Sequence, residues 1–200
     1  MNQVAVAGCS TTKFSVDDIK IESLLFSATK SLFEQTCNLS QKDIDVVLVS
    51  TNDNKKYLAP IVSEMSGISP KISHNIESMC NSGTNSIVSA FSYISSGLAD
   101  VALVLGAERF DSPGQVLEWD LSRGEFKHPI YWASMFAKAH KRKFGTTEEQ
   151  MAYVSAKNHR NAQDNPSAYN TKKYTIEEIM NSKRLTDDLR LLDCSRPCTG

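Results

Sequence analysis

Residues 75–110 read NIESMCNSGTNSIVSAFSYISSGLADVALVLGAERF, and this stretch decides the fold. An apolar run at residues 76–79 has the character of a strand, and a second run, VALVL at residues 101–105, ends at Gly106. Between the two runs, large apolar residues recur at helical spacing over residues 81–97, beside a set of small residues. The stretch therefore predicts a strand, a closely packed central helix and another strand, with Cys80 where the first strand meets the helix.

The same alternation extends back to the N-terminus. Short apolar runs at residues 4–7 and 45–49 predict two earlier strands, and apolar side chains at helical spacing predict helices over residues 21–32 and 58–65. Strands that alternate with helices in this way form parallel sheets with right-handed crossovers. Residues 1–110 are therefore predicted to form an α/β domain.

The chain changes character after Phe110. Residues 111–130 have no clean period and contain two turn signals, which indicates a long loop or an inserted subdomain. Helices are predicted near residues 131–143, from Thr146 to about residue 162, and from Thr175 onward. A short apolar run at the end is predicted to return to the sheet as a strand. The resulting division is a sheet domain at 1–110, an inserted, mostly helical domain at 111–188 and a return strand with the start of a crossover at 189–200.

Composition excludes several classes of protein. The 200 residues are 40% hydrophobic and 22% charged, with a formal net charge of −1, so we expect neither nucleic acid nor an anionic membrane as a partner. We find no signal peptide and no apolar run long enough to span a membrane, and we expect a cytoplasmic protein. The odd number of cysteines argues against a disulfide framework and favours free thiols; they are Cys9, Cys37, Cys80, Cys194 and Cys198. Cys194 and Cys198 form a single C-x3-C pair without a second pair of ligands, so no metal site is expected.

Cys80 is the candidate nucleophile. A thiol becomes reactive when its pKa falls, and the N-terminus of a helix lowers a thiol pKa by presenting unpaired N–H groups and a partial positive charge. Free cysteine is also among the most buried residue types, so position alone leaves an inert core thiol as an equal alternative.

Several motifs carry a resemblance to a known family. They are ESMCNSG at residues 77–83, SGLADVALV at 96–104, GAER at 106–109, FGTTEEQ at 144–150, KNHRNA at 157–162 and LLDCS at 191–195. The first three resemble the nucleophile segment of thiolases. The later ones are similar to archaeal acetoacetyl-CoA thiolases and sterol-carrier-protein-type thiolases. The resemblance runs along nearly the whole chain, and it implies the N-terminal half of the thiolase fold with its inserted loop domain.

This resemblance implies an acyl-CoA acyltransferase that forms or cleaves a β-ketoacyl-CoA, with Cys80 carrying the acyl group as a thioester. Coenzyme A would enter as part of the substrate, and no metal or redox cofactor is required. The loop domain would bind coenzyme A, and Lys138, Lys141 and Arg142 are candidate contacts to its phosphates. A run of charges on a helix is more often a solvated face. His159, within KNHRNA, is assigned a structural role, because the catalytic histidine of the family lies elsewhere.

The family's catalytic bases belong to a second half, which is not found in these 200 residues, and Thr199 stands where relatives have Asp. Three interpretations stay open: a piece of a longer thiolase, one subunit of a split enzyme, or a non-catalytic thiolase-like partner or acyl-CoA- or lipid-binding subunit. A homo-oligomer or a complementing C-terminal half is the expected partner. The acyl chain length and the direction of the reaction are left open.

Overall fold

The structure, a computed structural model, describes residues 3–36, 38–112 and 121–200. The chain divides into two compact units. The first contains residues 1–112 and 198–200, and the second contains residues 113–197. The three-part division predicted above is finer than this and stays a prediction.

A three-stranded parallel sheet forms the centre of the first unit. Its strands are β1 (Val46–Ser50), β2 (Ile72–Ile76) and β3 (Ala102–Gly106), in the spatial order β2-β1-β3. Every residue of β1 is buried, because it is the central strand and both faces of the sheet are covered. The predicted α/β class is confirmed.

Helices cover the two faces of this sheet with different side chains. The helices are α1 (Ile21–Gln35), α2 (Leu58–Ser66) and α3 (Ser82–Ser95). Successive side chains of a strand point to opposite faces. Val47 and Val49 therefore join the core formed with α1 and α2, while Val46 and Leu48 join the one formed with α3. Right-handed crossovers in opposite directions along the sheet account for this placement of α2 and α3.

The second unit is helical in the described residues. Its helices are α4 (Ile130–Phe144), α5 (Glu148–Asn161) and α6 (Ile176–Met180), close to the predicted ranges. Capping boxes begin α5 and α6, where Thr147 accepts the N–H of Gln150 and Thr175 accepts that of Glu178. The box of α5 lies one residue later than the start predicted at Thr146. A small core of Ala152, Ile179 and Leu192 holds α5 and α6 together.

An ion-pair cluster around Glu148 also supports the second unit. Arg184 and Arg190 donate to the Glu148 carboxylate at 2.9 and 2.8 Å. The hydrogen bonds from Arg190 and then Arg184 lower the pKa of Glu148 from 4.5 to about 2. No helix in the described ranges has both the length and the hydropathy needed to cross a membrane.

Three strand predictions are wrong in detail. Residues 4–7 do not form a strand, and Val6 is 89% exposed because this segment pairs with no other strand. The strand predicted at 76–79 is β2, which ends at Ile76; it lies at the edge of the three-stranded sheet and carries Ser, His and Asn, so its apolar signal is weak. The predicted return strand is absent, because Leu191–Asp193 is a 3-10 helix.

Candidate active site

A strained turn positions Cys80 between β2 and α3. Met79 has a φ of 53°, in the left-handed region that residues other than glycine rarely adopt. Met79–Asn81 then forms one turn of 3-10 helix that leads directly into α3, so Cys80 lies one turn ahead of the α-helix. The prediction of a cysteine between a strand and a helix start is confirmed, and backbone strain of this kind clusters at functional sites.

Side-chain hydrogen bonds hold this turn in place. The hydroxyl of Ser82 accepts the N–H of Ser78 at 2.7 Å and donates to the carbonyl of Met79 at 2.7 Å. The amide of Asn85 donates to the hydroxyl of Ser78 at 2.7 Å. These bonds offset the cost of the left-handed residue.

A cavity of about 390 Å³ lies beside Cys80 at the carboxyl ends of the strands. Its lining includes Ser50 and Thr51 from the end of β1, Cys80 and Gly83 after β2, and Gly106 and Glu108 from the end of β3. The chain passes from β1 to one neighbouring strand and then back across β1 to the other. Ligands of open parallel sheets bind in the crevice at the carboxyl ends where the strand order reverses, so this cavity is where the fold favours a ligand.

Glu108 is the ionisable group on the wall formed by β1 and β3. Its carboxylate accepts the backbone N–H of Asn52 and lies 3.4 Å from the hydroxyl of Thr51. Its backbone exchanges hydrogen bonds of 2.9 and 3.0 Å with Gly200, which also lines the cavity. Sequence reasoning missed Glu108 as a site residue, although its position two residues after β3 was a usable signal. Within the described lining, Cys80 and Glu108 are the ionisable side chains, and no histidine is present.

Cys80 differs from the other described cysteines in its surroundings. Cys80 is exposed in this cavity, whereas Cys194 is half-buried. Burial and the neighbouring Asp193 raise the pKa of the Cys194 thiol, which keeps it protonated and unreactive. Cys9, Cys80, Cys194 and Cys198 are free, as predicted, and Cys37 lies outside the described residues.

The three basic residues predicted to contact coenzyme A have different environments in the second unit. Lys138 lines a cavity of about 460 Å³ together with Trp132, and Arg142 is exposed. The ammonium of Lys141 lies 3.3 Å from the carboxylate of Asp188 and is already paired. Their role in binding stays a prediction.

The described histidines in ordered contacts lie outside the cavity beside Cys80. Nε2 of His74 lies 3.0 Å from the hydroxyl of Tyr93. His159 contacts the carbonyl of Leu192 at 3.4 Å and the ring of Tyr174, which fits its predicted structural role. Among the described residues, no group of three or more His, Cys, Asp and Glu side chains is arranged to hold a metal ion.

Comparisons with known proteins agree on one family. The family described as "Thiolase, N-terminal domain" matches residues 4–184. The acetyl-CoA acetyltransferase of Methanothermobacter thermautotrophicus is 31% identical over 98% of this chain and 54% of its own length, and that of Methanocaldococcus jannaschii is 29% identical over 100% and 54%. Bovine sterol carrier protein 2 is 29% identical over 63% of this chain and 26% of its own length.

A solved structure shows the same fold. The structure titled "Ltp2-ChsH2(DUF35) aldolase" has a TM-score of 0.83 and 23% identity, covering 98% of this chain and 53% of that chain. The chain thus spans about half the length of the archaeal acetyltransferases and of this structure. The chain belongs to the thiolase family, and residues 4–184 match its N-terminal domain.

Proposed function

We propose that this chain is the nucleophile-bearing part of an acyl-CoA acyltransferase of the thiolase type. The observation that carries the proposal is the position of Cys80, exposed in a cavity at the carboxyl ends of the strands and at the start of a helical segment. In this turn the N–H groups of Met79 and Asn81 donate to Glu77 and Ser78, whereas the N–H of Cys80 has no acceptor among the described residues and can donate to an oxyanion. A nucleophile and an oxyanion donor therefore lie in the same turn.

The chemistry begins with attack of the Cys80 thiolate on the thioester carbonyl of an acyl-CoA. A bond forms between Sγ and the acyl carbon, the bond to the coenzyme A sulfur breaks, and that sulfur leaves as the thiolate and takes up a proton. The acyl group then passes to the α-carbon of a second acyl-CoA that has lost a proton, which gives a β-ketoacyl-CoA and frees Cys80. Dividing one acyl transfer into two steps lowers each barrier. Coenzyme A is part of the substrate in this scheme, and no metal takes part.

The scheme needs bases, and the described lining of the cavity supplies only Glu108. Its carboxylate accepts an N–H from Asn52, which favours a role in holding the wall rather than in moving a proton. We propose that a complementing thiolase half brings the catalytic bases. A positioned acid or base contributes roughly 10²–10⁴-fold, so residues 1–200 alone should acylate slowly and not turn over.

The outer face of α3 supports the need for such a half. Ile87, Val88 and Phe91 are 63%, 55% and 48% exposed on this helix. Apolar stripes of this kind mark surfaces that bind protein. The archaeal acetyltransferases are about twice as long as this chain, which fits a second half as the occupant, and a homo-oligomer is the alternative.

Lys138 and Arg142 remain the better candidates for contacts to the phosphates of coenzyme A. Each is free of an ion pair within the described residues, whereas Lys141 is held by Asp188. The acyl chain length is not part of this proposal.

A second candidate function is a non-catalytic partner or an acyl-CoA- or lipid-binding subunit. Two relatives are named "Sterol carrier protein 2" and "Non-specific lipid-transfer protein-like 2", and the similar structure carries an aldolase title. Such a protein would keep its cavity without a reactive thiol, so the reactivity of Cys80 separates the two candidates.

Alkylation of the folded chain by iodoacetamide tests the proposal. Peptide mapping over time should show Cys80 modified faster than Cys9, Cys194 or Cys198, because the turn before α3 holds the thiol of Cys80 exposed in the cavity. Cys194→Ser is the matched control and should leave the Cys80 rate unchanged. If Cys80 reacts more slowly than exposed Cys9, the nucleophile assignment fails and the binding role is favoured.

A further inference from the structure

A basic cleft in the second unit is separate from the residues proposed for acyl transfer. The cleft has a volume of about 370 Å³ and lies between α5 and the segment that leads into α6. Its lining includes Lys157 and Arg160 from α5 and Lys173 from that segment. Cavities of this size are typical of small-molecule sites.

The three cations are available to an external ligand. Lys157, Arg160 and Lys173 are all exposed, and none forms an ion pair with any residue that the structure describes. Asp164, four residues after Arg160, does not pair with it in this part of the chain. The other basic cluster of this unit is different, because Lys141, Arg184 and Arg190 all contact carboxylates. The charge of the cleft is therefore not neutralised from within.

Aromatic side chains supply the rest of the cleft wall. Tyr153 is 58% exposed, and Tyr174 lines the cleft beside it. Lys172 adds a further cation beside the cleft, because its ammonium forms a cation–π contact with the ring of Tyr174 at 4.7 Å from the centroid. Basic groups beside flat rings suit a ligand that joins phosphate to an organic group.

The helix dipole gives a simpler explanation for two of these residues. Cations near the C-terminus of a helix are stabilised by the dipole, and Lys157 and Arg160 lie in the last two turns of α5. This explanation does not cover Lys173, which comes from a separate segment and lines the same cleft. Like charges three residues apart on a helix also repel, so the pair is costly without an anion.

We propose that this cleft binds the phosphate groups of a small phosphorylated molecule. Arg160 supplies a planar donor pair that matches a phosphate edge, and Lys157 and Lys173 supply point charges on either side. The inference goes beyond acyl transfer, because the step at Cys80 needs none of these residues. The phosphate belongs either to coenzyme A or to a separate phosphorylated ligand.

Calorimetric titration of the full chain with pyrophosphate at low salt is the primary test. We expect binding that weakens about tenfold in Arg160→Gln and in Lys173→Gln, since each removes one charge-assisted contact. Lys183→Gln is the matched control, because Lys183 is an exposed lysine of the same unit that does not line the cleft. Absence of binding, or equal affinity in all the variants, overturns the proposal.

Titrations with coenzyme A and with pantetheine, which lacks phosphate, identify the source of the anion. The phosphate is that of coenzyme A if Arg160→Gln lowers the affinity for coenzyme A and pantetheine does not bind the cleft of the unmodified chain. An effect of Arg160→Gln on pyrophosphate alone assigns it to a separate ligand. Cys80→Ser should bind pyrophosphate like the unmodified chain, so failure of the acyl-transfer proposal would leave this result intact.

Discussion

The helices α2 and α3 connect strands of the same sheet, yet they place their large apolar side chains in opposite environments. In α2, Leu58 and Val62 are fully buried. In α3, the small residue Ser86 is the fully buried one, while Ile87 and Phe91 are 63% and 48% exposed. Small residues let α3 pack closely on the sheet, and its larger residues then point away from it.

The difference shows which side of the sheet has its apolar residues covered by other described residues. The side covered by α1 and α2 forms a closed core, whereas α3 carries a second apolar stripe that has no cover among the described residues. Exposed apolar area costs stability unless another surface removes it from water. In the proposed function, a complementing half or a second copy of this chain covers this stripe.

The largest expected effect is on stability. Leu58→Ala should lower the free energy of unfolding by about 2–5 kcal/mol, because it leaves a cavity in a fully buried position. Ile87→Ala, the matched change on α3, should alter it by less than about 0.5 kcal/mol. Urea unfolding of both variants at low protein concentration measures the difference. A large loss in Ile87→Ala would mean that the stripe is already covered within the chain.

The next effect is on association. Val88→Glu should weaken self-association, or binding of a complementing half, by at least about tenfold, because it places a charge in the apolar stripe. Val154→Glu is the control, since Val154 is also 55% exposed but lies on α5. Light scattering coupled to size exclusion measures both. An unmodified chain that stays monomeric and binds no second half would refute the role of the stripe.

A smaller effect concerns the turn before α3. Met79→Gly should stabilise the chain by about 0.5–1 kcal/mol, because glycine adopts a left-handed φ without strain. The gain is reduced because glycine also increases the conformational entropy of the unfolded chain. The same change should slow acylation of Cys80 by loosening the turn. Met79→Ala keeps the strain while shortening the side chain, so it separates the two causes. Thermal unfolding and acylation rates measured together decide the point, and destabilisation by Met79→Gly alone would contradict it.

The smallest expected effect is an acid dependence of stability at the amino ends of the strands. The segments that follow α2 and α3 both contact Asp45 there. Asp45 accepts the N–H of Asp100 at 2.7 Å and pairs with Lys71 at 2.8 Å, and these contacts, with Lys71 first, lower its pKa from 3.8 to about 2. A lowered carboxyl pKa gives stability that is present above pH 3.8 and lost as the pH falls toward 2. Asp45→Asn should therefore be less stable at neutral pH and should match the unmodified chain near pH 2.

Unfolding followed across this pH range checks the Asp45 prediction. Asp17→Asn is the control, because Asp17 is an exposed residue of the same unit whose carboxylate forms no hydrogen bond or ion pair with the described residues. A constant gap between Asp45→Asn and the unmodified chain at every pH would contradict the assignment.

Much of the fold could be predicted because its signals are local. The central strand and β3 were placed within one residue of β1 (Val46–Ser50) and β3 (Ala102–Gly106), since buried parallel strands are almost wholly apolar. The start of α5 was predicted at Thr146 from a capping-box pattern, one residue before the observed N-cap at Thr147. The edge strand β2 was misplaced, because half-exposed polar residues hide the apolar signal.

The arrangement of the site was less predictable, because it depends on contacts between distant residues. The spacing of Ile87 and Phe91 identifies an apolar stripe on α3, but helical periodicity does not say whether the stripe or the small residues face the sheet. Glu108 reaches the cavity through pairing of β3 with β1, which joins residues more than 50 positions apart. The left-handed φ of Met79 has no sequence signature, because the residue is not glycine.

The central claim is that Cys80 carries the acyl group, and incubation of the full chain with acetyl-CoA followed by peptide mass spectrometry tests it most directly. The account predicts an acetyl thioester on Cys80 that forms faster than on Cys9, which serves as the exposed-thiol reference. It also predicts no steady-state turnover by these residues alone and no comparable label in Cys80→Ser. An acetyl group that appears on Cys9 as fast as on Cys80, or never on Cys80, would contradict the account.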